Sequence, residues 1–144
     1  MSALTDSLNV QLSNWAVLYI KLHHYHWYVK GPHFPVLHAK FEELYDMAAL
    51  KLDDLAERIL SIEGSPLSTM KEFLAHATIK EADKAKSEND MLTATIEDLK
   101  ELIQGLKEAA ATAEEAEDTA TSDMLIGQVE ELQKQVWMLK STLA

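Results

Sequence analysis

Apolar residues recur at three- and four-residue steps along four long stretches of this chain. From about residue 4 to residue 29, Leu4, Leu8, Leu12, Trp15, Tyr19, Leu22 and His26 share one helical stripe, whose last member is a histidine. Lys30-Gly31-Pro32 stops that helix, because Gly can take a left-handed cap and Pro cannot continue the ladder. A second helix opens near Pro35 and runs to about residue 62, with Leu37, Phe41, Leu44, Ala48, Leu55, Ile59 and Ile62 as its core stripe. Glu63-Gly64-Ser65-Pro66 breaks the chain, and a short helix is predicted over about 68–76. Thr78 and Glu81 have the spacing of a capping box and predict a third long helix reaching about residue 113, with Met91, Ile96, Leu99, Leu102, Ile103 and Leu106 inside. Gly105 is a mild weak point within it. An acidic, Ala/Thr-rich connection is expected over 114–123. A last helix then runs to about residue 143 on Met124, Leu125, Val129, Leu132, Val136 and Leu139.

No strand alternation, internal repeat or low-complexity tail accompanies these stripes. The prediction is a single all-α domain over residues 1–144, a four-helix bundle with a short helix in the long crossover between its second and third long helices. Short turns join the first pair and a long connection separates the pairs, which is ferritin-like connectivity rather than up-down-up-down.

Composition narrows the chemistry. The 144 residues suffice for a real core, and only four Gly and three Pro interrupt an Ala-, Leu-, Glu- and Lys-rich chain. With no Cys, any metal must be held by His, Asp or Glu. The first residues lack the basic and apolar regions of a signal peptide, and no apolar run approaches the ~20 residues needed to span a bilayer. A cytoplasmic protein without membrane association is the expectation. The net charge of −11 attracts cations and repels phosphate backbones, and Arg58 is the sole arginine.

The second helix carries a further polar face. His38/Glu42 and Asp53/Glu57 are pairs at i,i+4 spacing, and at ~100° per residue all four side chains fall within an arc of roughly 100°. That face is centred roughly 140° from the core stripe and also carries the small residues Ala49 and Ala56 with Tyr45. The two pairs cannot share one metal within a chain, since His38 and Asp53 are separated by about 22 Å of helical rise. Either this is solvated surface, with Lys51 and Arg58 neutralising the acids, or two half-sites meet across a two-fold axis. A short turn makes the first two helices antiparallel and brings His26 towards His38 and Glu42. Two imidazoles and a carboxylate suit a borderline divalent ion such as Fe(II) or Zn(II).

The run His26-Trp27-Tyr28-Val29-Lys30-Gly31-Pro32-His33-Phe34, with Leu37-His38, Phe41-Glu42, Asp53 and Ala56-Glu57-Arg58-Ile59, resembles the Dps family (DNA-binding protein from starved cells), the mini-ferritins. The ligand spacing, His-x11-His-x3-acid-x10-Asp-x3-Glu, is specific, and Gln135-Val136-Trp137-Met138-Leu139 extends the resemblance over nearly the whole chain. Common ferritins instead use Glu-x-x-His pairs inside one bundle, and this chain has none.

The resemblance implies a hollow homo-dodecamer built from two-fold dimers. It implies oxidation of Fe(II) to Fe(III), typically with hydrogen peroxide and otherwise with dioxygen, and storage of ferric mineral. Carried over by position, His26, His38 and Glu42 come from one subunit and Asp53 and Glu57 from its two-fold mate, holding up to two iron ions per inter-subunit site. Many family members have Asp at the position of Glu42, and Glu reaches one methylene further. Trp27 matches a family aromatic that intercepts oxidising equivalents, and Asp118 and Asp123 align with acids of iron-entry pores. Residues 1–10 contain no Lys or Arg, so the mobile basic tail that binds DNA in some members is missing and no tight DNA binding is expected. The alternative reading is a protective cage of the same fold that binds zinc or little metal and has no oxidase activity. A plain helical interaction module, with the polar face in solvent, is the third.

Overall fold

The computed structural model describes residues 2–84 and 87–143. Within them the chain forms α1 (Ala3–Tyr28), α2 (Phe34–Ser61), α3 (Met70–His76), α4 (Glu88–Glu115) and α5 (Thr119–Leu143), with no strand among the described residues. The all-α bundle with a short helix in its crossover is therefore the observed fold.

Contacts along α1 set the directions of the other helices. His26, at the end of α1, meets His38, near the start of α2, so these two are antiparallel. Gln11 lies against Gly105, Lys21 pairs with Asp98, and the turn residue His33 meets Glu88, so α4 also runs antiparallel to α1. Helices α2 and α4 therefore start at the same end. The chain leaving α2 must travel the length of the bundle before α4 can begin, which is why the crossover is long.

The predicted stripes form the core. Leu8, Leu12, Trp15, Leu18, Leu22, Phe41, Leu44, Ala48, Leu99, Leu102, Leu106 and Leu132 are fully or almost fully buried. Each large aliphatic chain so buried contributes about 1.5–3 kcal/mol. The Trp15 indole also donates to Gln128 Oε1 at 3.4 Å, tying α1 to α5.

Helix α1 additionally buries Asn9, Asn14 and Lys21, and each holds the crossover. Asn9 donates to the Ser65 carbonyl at 3.1 Å and accepts from the Leu67 N–H at 2.9 Å. Asn14 accepts from the Thr78 and Ile79 amides at 2.8 and 3.0 Å, and Lys21 donates to the Lys80 carbonyl at 2.8 Å.

Those contacts correct one expectation. Thr78 and Glu81 do not open a helix, because the Thr78 amide and hydroxyl are both bound to Asn14. Helix α4 instead starts at Glu88, where Ser87 Oγ accepts from the Asp90 N–H at 3.0 Å. A real capping box, Thr69 with Glu72, opens α3. The acidic connection is also shorter than expected: α4 runs on to Glu115, and only residues 116–118 separate it from α5. Glu117 makes that turn with φ of 59°, and Glu63 takes φ of 67° after α2, so both breaks use a glutamate in the left-handed region. At Gly105 a Cβ would meet the amide end of the Gln11 side chain, so the glycine leaves room for Gln11 where α1 meets α4.

Candidate metal centre

The junction of α1 and α2 produces a reciprocal lock. His26 Nδ1 lies 2.7 Å from the His38 carbonyl oxygen, and His38 Nδ1 lies 2.7 Å from the His26 carbonyl oxygen. A carbonyl can only accept, so each Nδ1 carries the proton and donates. Each Nε2 therefore keeps a free lone pair. The two rings stack with centroids 3.7 Å apart and planes 13° from parallel, so both lone pairs are presented from one place. Fixing the tautomer through the other ring nitrogen is what a metal-ligating histidine requires.

The carboxylate of Glu42 joins from the next turn of α2, with Oε1 3.9 Å from His26 Nε2. His26 is buried, while the Glu42 side chain is 55% exposed and free to move. The expected convergence of His26, His38 and Glu42 is thus present as a neighbourhood. Among the described residues, however, no three His, Asp or Glu side chains already close a metal site.

Asp53 and Glu57 lie exposed at the far end of α2, about 22 Å of helical rise from His38. The cations that could have neutralised them are engaged elsewhere. Lys51 pairs with Glu131, and Arg58 donates to Thr121 Oγ1 at 2.9 Å and to Asp118 Oδ1 at 3.2 Å. Asp53 and Glu57 form no ion pair among the described residues. Asp53 also lines a shallow apolar depression with Ala49, Leu50, Ala56, Leu67 and Phe73, and Leu50 is 66% exposed. An acid pair stripped of cations beside unpaired apolar surface is suited to contact with another chain.

Tyr45 of the polar face, and His23, which sequence reasoning left aside, enter the centre. The Tyr45 ring sits edge-on to His26 at 5.2 Å and stacks on His23 at 3.6 Å. His23 in turn lies 5.3 Å from the Trp27 ring, so Trp27 reaches the imidazole pair through Tyr45 and His23 while remaining 66% exposed. Desolvation raises the Tyr45 phenol above its ordinary value, with Glu42, Asp46 and Tyr19 adding to the effect. The i,i+4 spacing of Tyr19 and His23 was the visible sign of this cluster.

Of the two acids expected at a pore, Asp123 is exposed and without an ion pair among the described residues. Asp118 has other work. It accepts from the Thr121 amide at 3.0 Å and hydroxyl at 2.5 Å, capping the start of α5, and binds Arg58. The Thr121 hydroxyl, the Thr121 amide and the Arg58 charge hold its carboxyl below the usual range despite partial desolvation. His24 lines a groove beside α3, His33 is mostly exposed, and the His76 ring bonds the Glu72 carbonyl of its own helix at 2.9 Å.

Comparison with known proteins agrees with this architecture. The family model described as a ferritin-like domain matches residues 5–144. A DNA protection during starvation protein from Brevibacillus brevis is 49% identical over 94% of this chain and 91% of its own length. The crystal structure of a Dps protein from Bacillus brevis superposes with a TM-score of 0.97 at 46% identity, covering 100% of both chains. A Dps protein from Vibrio cholerae O1, described as a member of a broad superfamily of ferritin-like diiron-carboxylate proteins, superposes with a TM-score of 0.94 at 34% identity, covering 98% of this chain and 89% of that one. The match over residues 5–144, the 49% identity and the superposition over the whole chain place this protein in the ferritin-like domain family, among the Dps proteins.

Proposed function

We propose that the protein oxidises Fe(II) to Fe(III), with hydrogen peroxide as preferred acceptor and dioxygen as the substitute. The ferric product is stored as mineral inside a shell of twelve copies built from two-fold dimers. The observation that carries this reading is the division of one helix face into two incomplete halves. One half offers two imidazole lone pairs locked in place beside Glu42. The other offers two carboxylates that form no ion pair among the described residues.

In this reading Fe(II) is the substrate. Antiparallel copies of α2 about a two-fold axis bring Asp53 and Glu57 of one chain to His26, His38 and Glu42 of the other, giving two equivalent sites per dimer. The imidazoles suit Fe(II), and the hard carboxylate oxygens increasingly favour Fe(III) as it forms. Two Fe(II) ions supply two electrons; peroxide accepts them with two protons, its O–O bond breaks, and two waters leave. A paired electron delivery avoids release of hydroxyl radical. Trp27, reached from the imidazoles through Tyr45 and His23, is positioned to take up stray oxidising equivalents. Asp123 and Asp118 would contribute negative charge along the route by which Fe(II) enters.

Stopped-flow absorbance of Fe(II) oxidation by peroxide tests this directly. His38→Ala and Asp53→Ala should each slow the reaction by at least about tenfold, as expected when one ligand of a metal centre is lost. If neither substitution slows it, the site assignment fails. A dodecamer that assembles but does not oxidise Fe(II) would be a protective cage only.

A further inference from the structure

We propose that Glu88 is a positioning residue for the histidine half of this site: its carboxylate, reaching in from α4, sets where α2 begins against the end of α1. The claim rests on the proposed metal-binding role of His26 and His38, and adds the group that holds them in register.

Helix α2 begins without the usual support. His33 precedes its first residue, makes no side-chain cap, and no acid stands in the first turn. An acceptor for the N-cap amide, the part a capping-box side chain plays, comes from a distant part of the chain. Glu88 Oε2 accepts from the His33 N–H at 3.0 Å, and Oε1 lies 3.4 Å from His33 Nδ1. The Glu88 side chain is only 12% exposed although His33 is 70% exposed, so the carboxylate is seated while its partner's ring is wet. Glu88 is also the first residue of α4, behind the Ser87 cap. One side chain therefore belongs to the first turn of α4 and reaches the first turn of α2.

The turn is shaped to admit it. Gly31 has φ of 131°, and a Cβ there would come within 2.6 Å of Glu88 Cδ. Any side chain at Gly31 would be strained and would push Glu88 out. From this anchor the path to the site is short. The amide of His33 is held by Glu88, the carbonyl of His33 accepts from the Leu37 N–H at 3.0 Å, and the next residue is His38. The reciprocal His26–His38 bonds of 2.7 Å close only if α2 starts at this height against α1. Glu88 touches neither imidazole and acts through the backbone between them.

Equilibrium titration of the assembled protein with Co(II), followed by visible absorption, tests the proposal without relying on oxidation. His38→Ala first identifies which band reports the histidine half-site. Glu88→Ala should weaken Co(II) binding in that band by about tenfold and alter its shape, the scale seen when a group orienting a metal ligand is removed. Glu88→Gln keeps an oxygen for the His33 N–H and should restore binding to near the parent value. Unchanged affinity and band shape in Glu88→Ala overturn the proposal. Equal loss in Glu88→Gln also overturns it, because the backbone hydrogen bond would then not be what Glu88 supplies. A parent protein with a His38-dependent Co(II) band but no Fe(II) oxidation would defeat the oxidase reading alone.

Discussion

Replacing Lys21 with Met removes a buried charge and should cost more than any surface ion pair of this protein. Lys21 Nζ lies 2.7 Å from Asp98 Oδ2 and donates to the Lys80 carbonyl at 2.8 Å, with the two side chains 9% and 14% exposed. Among the described residues, Lys21 is the sole compensation of Asp98 Oδ2. Burial already outweighs the two lowering effects of Lys21, its hydrogen bond and its charge, and raises the Asp98 carboxyl above the ordinary 3.8. Burial first, then the Asp98 charge, with Asp83 as a third cause, pushes the Tyr25 phenol up to about 12. Removing one partner of a buried pair costs about 3–5 kcal/mol. The undonated Lys80 carbonyl adds on the order of 1 kcal/mol.

The pH dependence has a definite sign. A carboxyl raised on folding binds its proton more tightly in the folded state, so its ionisation opposes folding, and that penalty fades as pH falls towards the raised value. With Lys21 gone the rise is larger, so the deficit of Lys21→Met against the parent should shrink between pH 7 and pH 5. Lys21→Met/Asp98→Leu removes both charges and should return to within about 1–2 kcal/mol of the parent. Urea unfolding followed by circular dichroism, at fixed protomer concentration because assembly shifts the midpoint, measures all three. A cost below about 1 kcal/mol for Lys21→Met at pH 7, or a double variant no better than the single, would refute the reasoning.

Asp118→Ala should lose about 1–2 kcal/mol through the α5 cap, read as a lower thermal midpoint. Because folding depresses this carboxyl, its contribution is full above the ordinary 3.8 and is lost as pH falls through the lower folded value, so parent and variant should converge in strong acid. In a low-salt gel shift the protein should form no compact complexes with duplex DNA, given the −11 charge and a first ten residues free of Lys and Arg. Retarded complexes that dissolve with added salt would show a basic surface generated on assembly.

Much of the architecture was legible because it rests on local repetition. The stripes through Leu8, Phe41, Leu99 and Leu132 are periodic, and all four residues are fully buried. The split histidine–acid face was legible for the same reason, since spacing along one helix fixes angle and rise. What escaped depended on distant partners. Thr78 has the chemistry of a cap, but Asn14, sixty-four positions earlier, takes its amide and hydroxyl. Arg58 is adjacent to Glu57 in sequence, yet its guanidinium goes to Asp118 and Thr121. The ends of α2 and α4 lack a glycine in the left-handed position, and Glu63 and Glu117 take that backbone instead, which no turn rule anticipates. Glu88 had no local signature, because it serves a helix fifty-five positions away.

The central claim is that each chain carries two half-sites and no whole one. Mixing His38→Ala and Asp53→Ala protein tests it most directly, after joint unfolding and reassembly in equal amounts. Random pairing should leave about one quarter of the inter-chain sites with both halves intact, so peroxide-driven Fe(II) oxidation should return to about one quarter of the parent rate from two inactive proteins. A reassembled mixture no faster than the two variants alone would contradict the account.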